Sequence, residues 1–441
     1  MLMFNLSSGL VQSALSVLIK LTSGLLGYML FVILSNSLDV QSYSQLNVIF
    51  SALMVIGMFS SMGQQTFIIK YVTLSREKGE CKEGSVYIYS MLMSFLGSAL
   101  GFFIFAFYCL TSGLSVEWLP LGGVFIFSFS LSQVTIGILR VNNKTLIALI
   151  TRDLIWRFLT ILTIVIISYY INLEAITAMW FLTFSLLFCE IFQLYLSYRF
   201  ISIGDNFSEI RWKEWSPVSF SFLIILIISS SDLYIFTLVS NNLVSSLDLS
   251  AFFSSVKTVE LVGVFLMAIT LVISPKISTM VANKDKIGLQ RMCNIAILIQ
   301  AIPVIPISII IIYFAPEILG IFGREFIEYK MLLQLLVVGM LINSLTGSTV
   351  FLLQVSGNHW YHVLFQGLSV IISASFLPTS ISLWGANGIA VCFILSKIIW
   401  NVLAIIKIKE TLEVNPTIYA LFSRKYNPRD CLLEDLLRFK L

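Results

Sequence analysis

Twelve apolar runs, each close to the roughly 20 residues a helix needs to cross a hydrocarbon layer, divide this chain from end to end. They lie near 11–34, 45–69, 85–110, 118–139, 146–169, 175–198, 217–239, 250–274, 290–314, 332–356, 361–381 and 386–406. A backbone in lipid has to satisfy its own hydrogen bonds, and helices do so segment by segment. The expected fold class is therefore an all-α polytopic membrane protein of about twelve transmembrane helices. Hydrophobic residues make up 58% and charged residues 11%, against roughly 45–50% and about 25% in soluble domains. A net charge of only +4 gives no support for a nucleic-acid partner. The six cysteines form no CxxC pair and no metal-ligand spacing, which argues against a disulfide framework or a zinc site. The N-terminus lacks the basic n-region of a cleavable signal, and its apolar run is too long for one, so it is expected to be the first span.

The connections carry strongly unequal charge. Lys70, Arg76, Lys78 and Lys82 follow span two; Arg140 and Lys144 follow span four; Arg199, Arg211 and Lys213 follow span six. Lys276, Lys284, Lys286 and Arg291 follow span eight, and the tail beyond span twelve adds Lys407, Lys409, Arg424, Lys425, Arg429, Arg438 and Lys440. The alternate connections hold only Arg324 and Lys330, with acids at Asp39, Glu117, Glu174, Asp248, Glu317, Glu325 and Glu328. The positive-inside rule then places both termini in the cytoplasm. The tail's LLEDLLRFKL has helical spacing, so it either lies on the inner leaflet as a basic amphipathic helix or stays disordered.

The chain also resembles itself. FVILSNSLDVQSYSQLNVIFS from Phe31 matches FTLVSNNLVSSLDLSAFFSSV from Phe236, setting Phe31, Ser35 and Asn36 opposite Phe236, Ser240 and Asn241. VTIGILRVNNK echoes TVFLLQVSGNH, placing Arg140 opposite Gln354. Two six-helix bundles are expected, at 1–205 and 206–406, with a cytoplasmic tail at 407–441. An even number of spans per half makes them parallel repeats about an axis along the membrane normal.

Several charges lie inside the runs, where an isolated one costs roughly 2.5–3.5 kcal/mol by insertion scales. Lys20, Lys257 and Lys397 are cations at membrane depth and suggest an anionic passenger. Each has a plainer reading. Lys20 can snorkel to the inner headgroups, Lys257 can pair with Glu260 three residues on, and Lys397 can neutralise a partner such as Glu190. Arg152, Asp153 and Arg157 fall in the first half of span five, either as a local ion pair or, with Arg140 nearby, as a seat for headgroup phosphate. Asp232, Glu190 and Glu260 are the carboxylates able to carry a coupling proton or Na+, with a structural hydrogen bond as the alternative role. Pro303 and Pro306 interrupt span nine, for gating or for static packing. Gly347 permits close helix contact.

The segments SNSLDVQSYS, SSSDLYIF, SPKIS and LINSLTGSTVFLLQVSGNH resemble the polysaccharide-exporter branch of the multidrug/oligosaccharidyl-lipid/polysaccharide superfamily. Within it the length and span number are most similar to a Wzx-type O-antigen or capsular repeat-unit flippase. That resemblance implies two six-helix bundles around a central cleft in the bacterial inner membrane. It also implies transfer of an undecaprenyl-diphosphate-linked glycan to the outer leaflet by alternating access, with an O-antigen polymerase and chain-length regulator as partners besides membrane lipid. Related lipid II flippases use cations on their first and eighth helices, where Lys20 and Lys257 stand. This chain lacks their cation in span two and their extra pair of helices, so a glycan repeat unit fits better than lipid II. A drug or cation antiporter of the same superfamily would carry fewer interior cations and more acids. A polytopic glycan polymerase would present a large outer loop with catalytic Arg or His, whereas His359 and His362 lie beside a short cytoplasmic turn. No nucleophile–base set or metal cluster is present, so an enzyme is not expected and no cofactor is implied.

Overall fold

The computed structural model describes residues 2–77, 83–201 and 210–423. Lys78, Lys82 and the LLEDLLRFKL segment lie outside the described residues.

The described chain is a succession of helices. α1 (Leu2–Ser37) ends one residue before Leu38, and Asp39 then caps α2 (Val40–Ser60), its carboxylate accepting from the amides of Gln41 and Ser42. Those donors, with the Ser42 hydroxyl foremost, hold the Asp39 carboxyl below the usual carboxylate range. A turn with left-handed Met62 and Gly63 leads into α3 (Gln64–Glu77), and α2 with α3 makes one 38-residue crossing. α4 (Glu83–Ser112) and α5 (Trp118–Val141) follow. Span five is then a composite of α6 (Thr145–Leu149), a π-helical turn (Ile150–Ile155) and α7 (Trp156–Ser168). α8 (Ala175–Tyr198) coincides with the expected run. α9 (Trp212–Ser230) and α10 (Asp232–Ser240) meet at a 66° bend, the form of a broken span or a re-entrant pair.

α11 (Ser246–Ala282) opens on a capping box between Ser245 and Asp248. α12 (Lys286–Tyr313) continues as a single helix through Pro303 and Pro306. A short α13 (Ala315–Gly320) and a 3-10 turn (Arg324–Tyr329) precede α14 (Lys330–Leu345) and α15 (Thr349–Val355). α16 (His359–Ser375) and α17 (Leu377–Trp384) meet at a second bend, of 48°, before α18 (Asn387–Leu412). Nine of the described helices are long and apolar enough to cross a membrane, and eleven crossings result if each bent pair is one span. The twelfth expected run is the π-interrupted segment, whose Arg152, Asp153 and Arg157 lower its hydropathy. The all-helical fold class is thus observed.

By packing, the chain divides into two compact units, one of 1–31 with 239–441 and one of 32–238. Likeness of sequence and compactness divide the chain differently, because 1–31 and 206–238 each pack with the other half. Two of the turns close in the same way. Lys144 N–H donates to Leu139 O at 2.8 Å beside left-handed Asn143, and Asn358 N–H donates to Leu353 O at 2.9 Å beside left-handed Gly357. These matching Schellman closures stand in the register that aligned Arg140 with Gln354.

In the first unit, α11, α12, α15 and α18 enclose a core that includes Ile273, Leu289, Leu353, Trp400 and Val414. The segment after α18 returns to cover it: Gln290 on α12 donates to Asn415 O at 2.8 Å and accepts from Asn415 N–H at 2.7 Å. Gly347, in the break between α14 and α15, has φ +77, and a Cβ there would lie 2.5 Å from Pro416 O. The close contact expected at Gly347 is with a helix; the observed one is instead with this returning irregular segment. Gly347→Ala meets both a left-handed backbone and a carbonyl oxygen, so it should destabilise by at least 1 kcal/mol or so. A lowered melting temperature of the purified protein in detergent is the measurement that checks it.

The second unit is centred on Ser60 of α2. Ser130 of α5 donates to Ser60 O at 2.8 Å, and the Ser130 and Ser94 hydroxyls lie 2.7 Å apart. Gly97 and Gly101 of α4 face the same spot, where an added Cβ would come within 2.1 Å of Ser60 O and 2.0 Å of Ser60 Oγ. This is small-xxx-small packing, with backbones brought together by missing side chains. Phe67, Tyr89 and Trp215 extend the core between α3, α4 and α9.

Candidate functional site

In the first unit the ionisable groups at membrane depth lie on α1, α11 and α18. α1 and α11 run antiparallel in close contact: a Cβ on Gly24 would meet Val264, Tyr28 is hydrogen-bonded to Thr258, and the Phe31 and Phe253 rings are 5.0 Å apart. This register sets Lys257 opposite residues 28–29 of α1. Lys20 then stands about eight residues away along the axis, or roughly 12 Å. The two cations share a helix pair but not a depth, so they make two positive stations rather than one paired site.

Lys257 is 8% exposed. Its Nζ lies 2.9 Å from Glu260 Oε2, 5.2 Å from the Phe31 ring centroid and 5.3 Å from that of Phe253. Two ring faces and a carboxylate thus hold the ammonium, an arrangement that stabilises a desolvated cation. The partners differ in access: the Lys257 side chain is 9% exposed and that of Glu260 is 50%. Pairing with Glu260, the plain reading of the sequence, is observed. Lys397 lies with Nζ 5.1 Å from the Phe393 ring.

In the second unit, Glu190 of α8 is 2% exposed and has Arg152 of the π-turn within electrostatic reach. Thr135 Oγ1 lies 3.2 and 3.3 Å from the two Glu190 carboxylate oxygens. The Arg152 guanidinium sits 4.8 Å from the Phe129 ring and 4.6 Å from the Trp156 ring, and its Nε is enclosed with no hydrogen-bond partner. Trp156 is fixed by its indole N–H donating to Leu182 O at 2.9 Å. Arg157 donates to the Asp153 carbonyl at 2.6 Å, with the Asp153 carboxylate 3.9 Å away at the limit of an ion pair. Asp153 also acts electrostatically on Arg140 and Arg152. The span-five charges are therefore one cluster with a cationic excess, in which Arg140, Arg152 and Arg157 share Asp153.

Asp232 is 8% exposed and is the first residue of α10, directly after the 66° break at Ser231. Ser229 and Ser231 turn their hydroxyls back onto Ile225 O and Ile227 O. Two of the three serines thus serve the broken helix end, where non-helical backbone at membrane depth needs such partners. Pro303 is partly buried and Pro306 exposed. Sequence reasoning missed Gln193, Thr135 and Thr151, which join Glu190 in one buried network. Nothing in an apolar run marks such residues, because Thr and Gln are common there as filler.

No family model matches the chain, and no curated protein does. Solved structures do. An inward-facing multidrug resistance MATE family transporter of the MOP superfamily matches with a TM-score of 0.71 and 14% identity, over 91% of this chain and 98% of that one. An outward-facing structure of such a transporter matches with a TM-score of 0.65 and 14% identity, over 90% and 95%. A MOP superfamily transporter from Pyrococcus furiosus, described as having a binding pocket of reverse polarity, matches with a TM-score of 0.64 and 13% identity, over 91% and 95%. At these identities the likeness is one of fold: the chain is a multi-pass membrane protein with the fold of the MOP-superfamily transporters.

Proposed function

We propose that this chain is a flippase. It moves an undecaprenyl-diphosphate-linked oligosaccharide repeat unit, of O-antigen or capsule, across the bacterial inner membrane by alternating access. The observation that carries this reading is Lys257, an enclosed cation at membrane depth whose counterion is half exposed. A diphosphate cannot enter hydrocarbon unaided, and an ammonium held ready by two rings lowers that cost. Lys20 supplies a second station along the same helix pair. Arg140, Arg152 and Arg157 form the cationic cluster of the other unit, and Asp232, Glu190 and Glu260 are the carboxylates able to take a coupling H+ or Na+. A glycan polymerase and chain-length regulator would act on the product.

A second reading, a drug or cation antiporter, is favoured by the comparisons, since solved structures of this fold include multidrug transporters. The two readings predict opposite ligand charge. Purified protein in nanodiscs should be stabilised by undecaprenyl diphosphate, with a saturating ligand at about 100 times its Kd adding about 2.7 kcal/mol. An organic cation such as ethidium should leave the melting temperature unchanged. Stabilisation by ethidium alone would overturn the flippase in favour of the antiporter.

A further inference from the structure

The network around Glu190 has more acceptors than hydrogens. Thr135 Oγ1 has one proton, yet it faces both Glu190 oxygens, Gln193 Oε1 at 3.1 Å and Ser132 O at 3.1 Å. The orientation of Gln193 is fixed from its other end. Its amide N–H2 donates to Ala148 O at 3.2 Å and to Thr151 Oγ1, while Thr151 donates to Ile147 O at 2.9 Å. Flipping that amide would set its oxygen against the Ala148 carbonyl. Gln193 Oε1 therefore faces Thr135 as an acceptor and calls for the Thr135 proton. An ionised Glu190 would then meet Thr135 with lone pair against lone pair. One further proton resolves the arrangement: a neutral Glu190 donates to Thr135 Oγ1, Thr135 donates to Gln193, and Gln193 donates to Thr151 and Ala148. The Thr135 and Thr151 hydroxyls and the Gln193 amide are then each matched donor to acceptor, as buried polar groups are.

We propose that Glu190 is a proton-binding site, occupied in this conformation, and that Arg152 is the charge that replaces the proton when it leaves. On release the O–H bond breaks, the carboxylate keeps the electron pair and the proton passes to water. The Arg152 Nε–H, without an acceptor here, then becomes the donor to the carboxylate. Arg152 stands on the π-turn, a geometry often found where a helix does work, and ring faces rather than hydrogen bonds hold its guanidinium. The charged and titratable groups around Glu190 are few. The π-turn brings Arg152 and Asp153, α7 brings Arg157, α8 brings Cys189, α5 brings Arg140 toward its end, and α2 brings no carboxylate, Lys, Arg or His.

The proposal rests on the transport reading only for its consequence, that the proton drives the cycle. Infrared difference spectra of the full chain in nanodiscs test the site itself. At neutral pH the wild type should show the carbonyl stretch of a protonated carboxylic acid that is lost in E190Q and shifted in T135V. In Arg152→Gln the band should persist to higher pH, because the carboxylate has lost its counter-charge. Identical carbonyl regions in wild type and E190Q would overturn the site. If the band is Glu190's but E190Q exports glycan at the wild-type level, with unchanged sensitivity to collapse of the pH gradient, the coupling role is overturned while the flippase stands. If the wild type exports no glycan at all, the transport reading fails and the infrared result is unaffected.

Discussion

Lys257→Ala should reduce glycan export at least tenfold while leaving the protein inserted and abundant. A hydrogen bond to a charged group is worth about 1.5–3 kcal/mol, which is roughly 10- to 150-fold in an equilibrium constant. Loss of the ammonium should therefore weaken anion binding by one to two orders of magnitude. The fold should tolerate the change, because the group left behind is Glu260, whose side chain is 50% exposed. Removing the buried partner of an enclosed carboxylate would be far more damaging. Lys257→Arg should keep part of the activity, and Glu260→Gln, which removes the competing anion, should tighten binding of undecaprenyl diphosphate. Lys20→Ala should also impair export. Surface display of glycan in a strain lacking its own flippase, read beside immunoblots of membrane protein, checks each of these. Full export in both Lys20→Ala and Lys257→Ala would rule out the cationic stations. Unchanged resistance to organic cations in those same variants would separate the flippase from the antiporter.

The crossings were legible because lipid imposes a length, and the span expected at 175–198 is the helix found there. What lay inside the spans was less so. Lys257 and Glu260 could be read as a pair from spacing alone, since residues three apart share a helix face. Their unequal exposure could not, because it depends on which neighbours cover each side chain. Lys20 and Lys257 could be placed at depths on their own helices, but the α1–α11 register that separates them is a product of packing at Gly24, Tyr28 and Phe31. The π-turn at Ile150–Ile155 and the break at Ser231 show in the sequence only as polar residues inside apolar runs, Arg152 and Asp153 at one and Ser229 to Asp232 at the other, which do not distinguish a π-turn or a bend from a continuous helix. Glu190's network joins Thr135, Gln193 and Thr151 across as many as 58 residues of chain, beyond the reach of any local pattern. One readable signal was passed over: GSALG at 97–101 has glycines four apart in an apolar run, the spacing that lets helices touch.

Those glycines carry the largest expected effect on stability. Gly97→Val and Gly101→Val should each abolish accumulation of folded protein. A Cβ at 97 would lie 2.1 Å from Ser60 O and 2.9 Å from Met62 Cγ, and one at 101 would lie 2.0 Å from Ser60 Oγ. Ser60 cannot retreat freely. Its carbonyl accepts from Ser130 at 2.8 Å, and its hydroxyl donates to Ile56 O at 2.8 Å. Relief must come from parting α2 and α4, which breaks the Ser60–Ser130–Ser94 contacts and opens a buried seam. Overpacking a core with a small group costs about 1–3 kcal/mol when neighbours can shift. Here they cannot, so the cost should exceed that range and approach the whole stability of roughly 5–15 kcal/mol. Gly320→Ala is the control, since its nearest neighbours are Ile327 side-chain carbons at 3.5 Å, an ordinary contact. Yield and monodispersity on size-exclusion chromatography in detergent read the difference. Wild-type behaviour of Gly97→Val would mean that α2 and α4 stand farther apart than these contacts require, and that the seam around Ser60 does not hold the unit together.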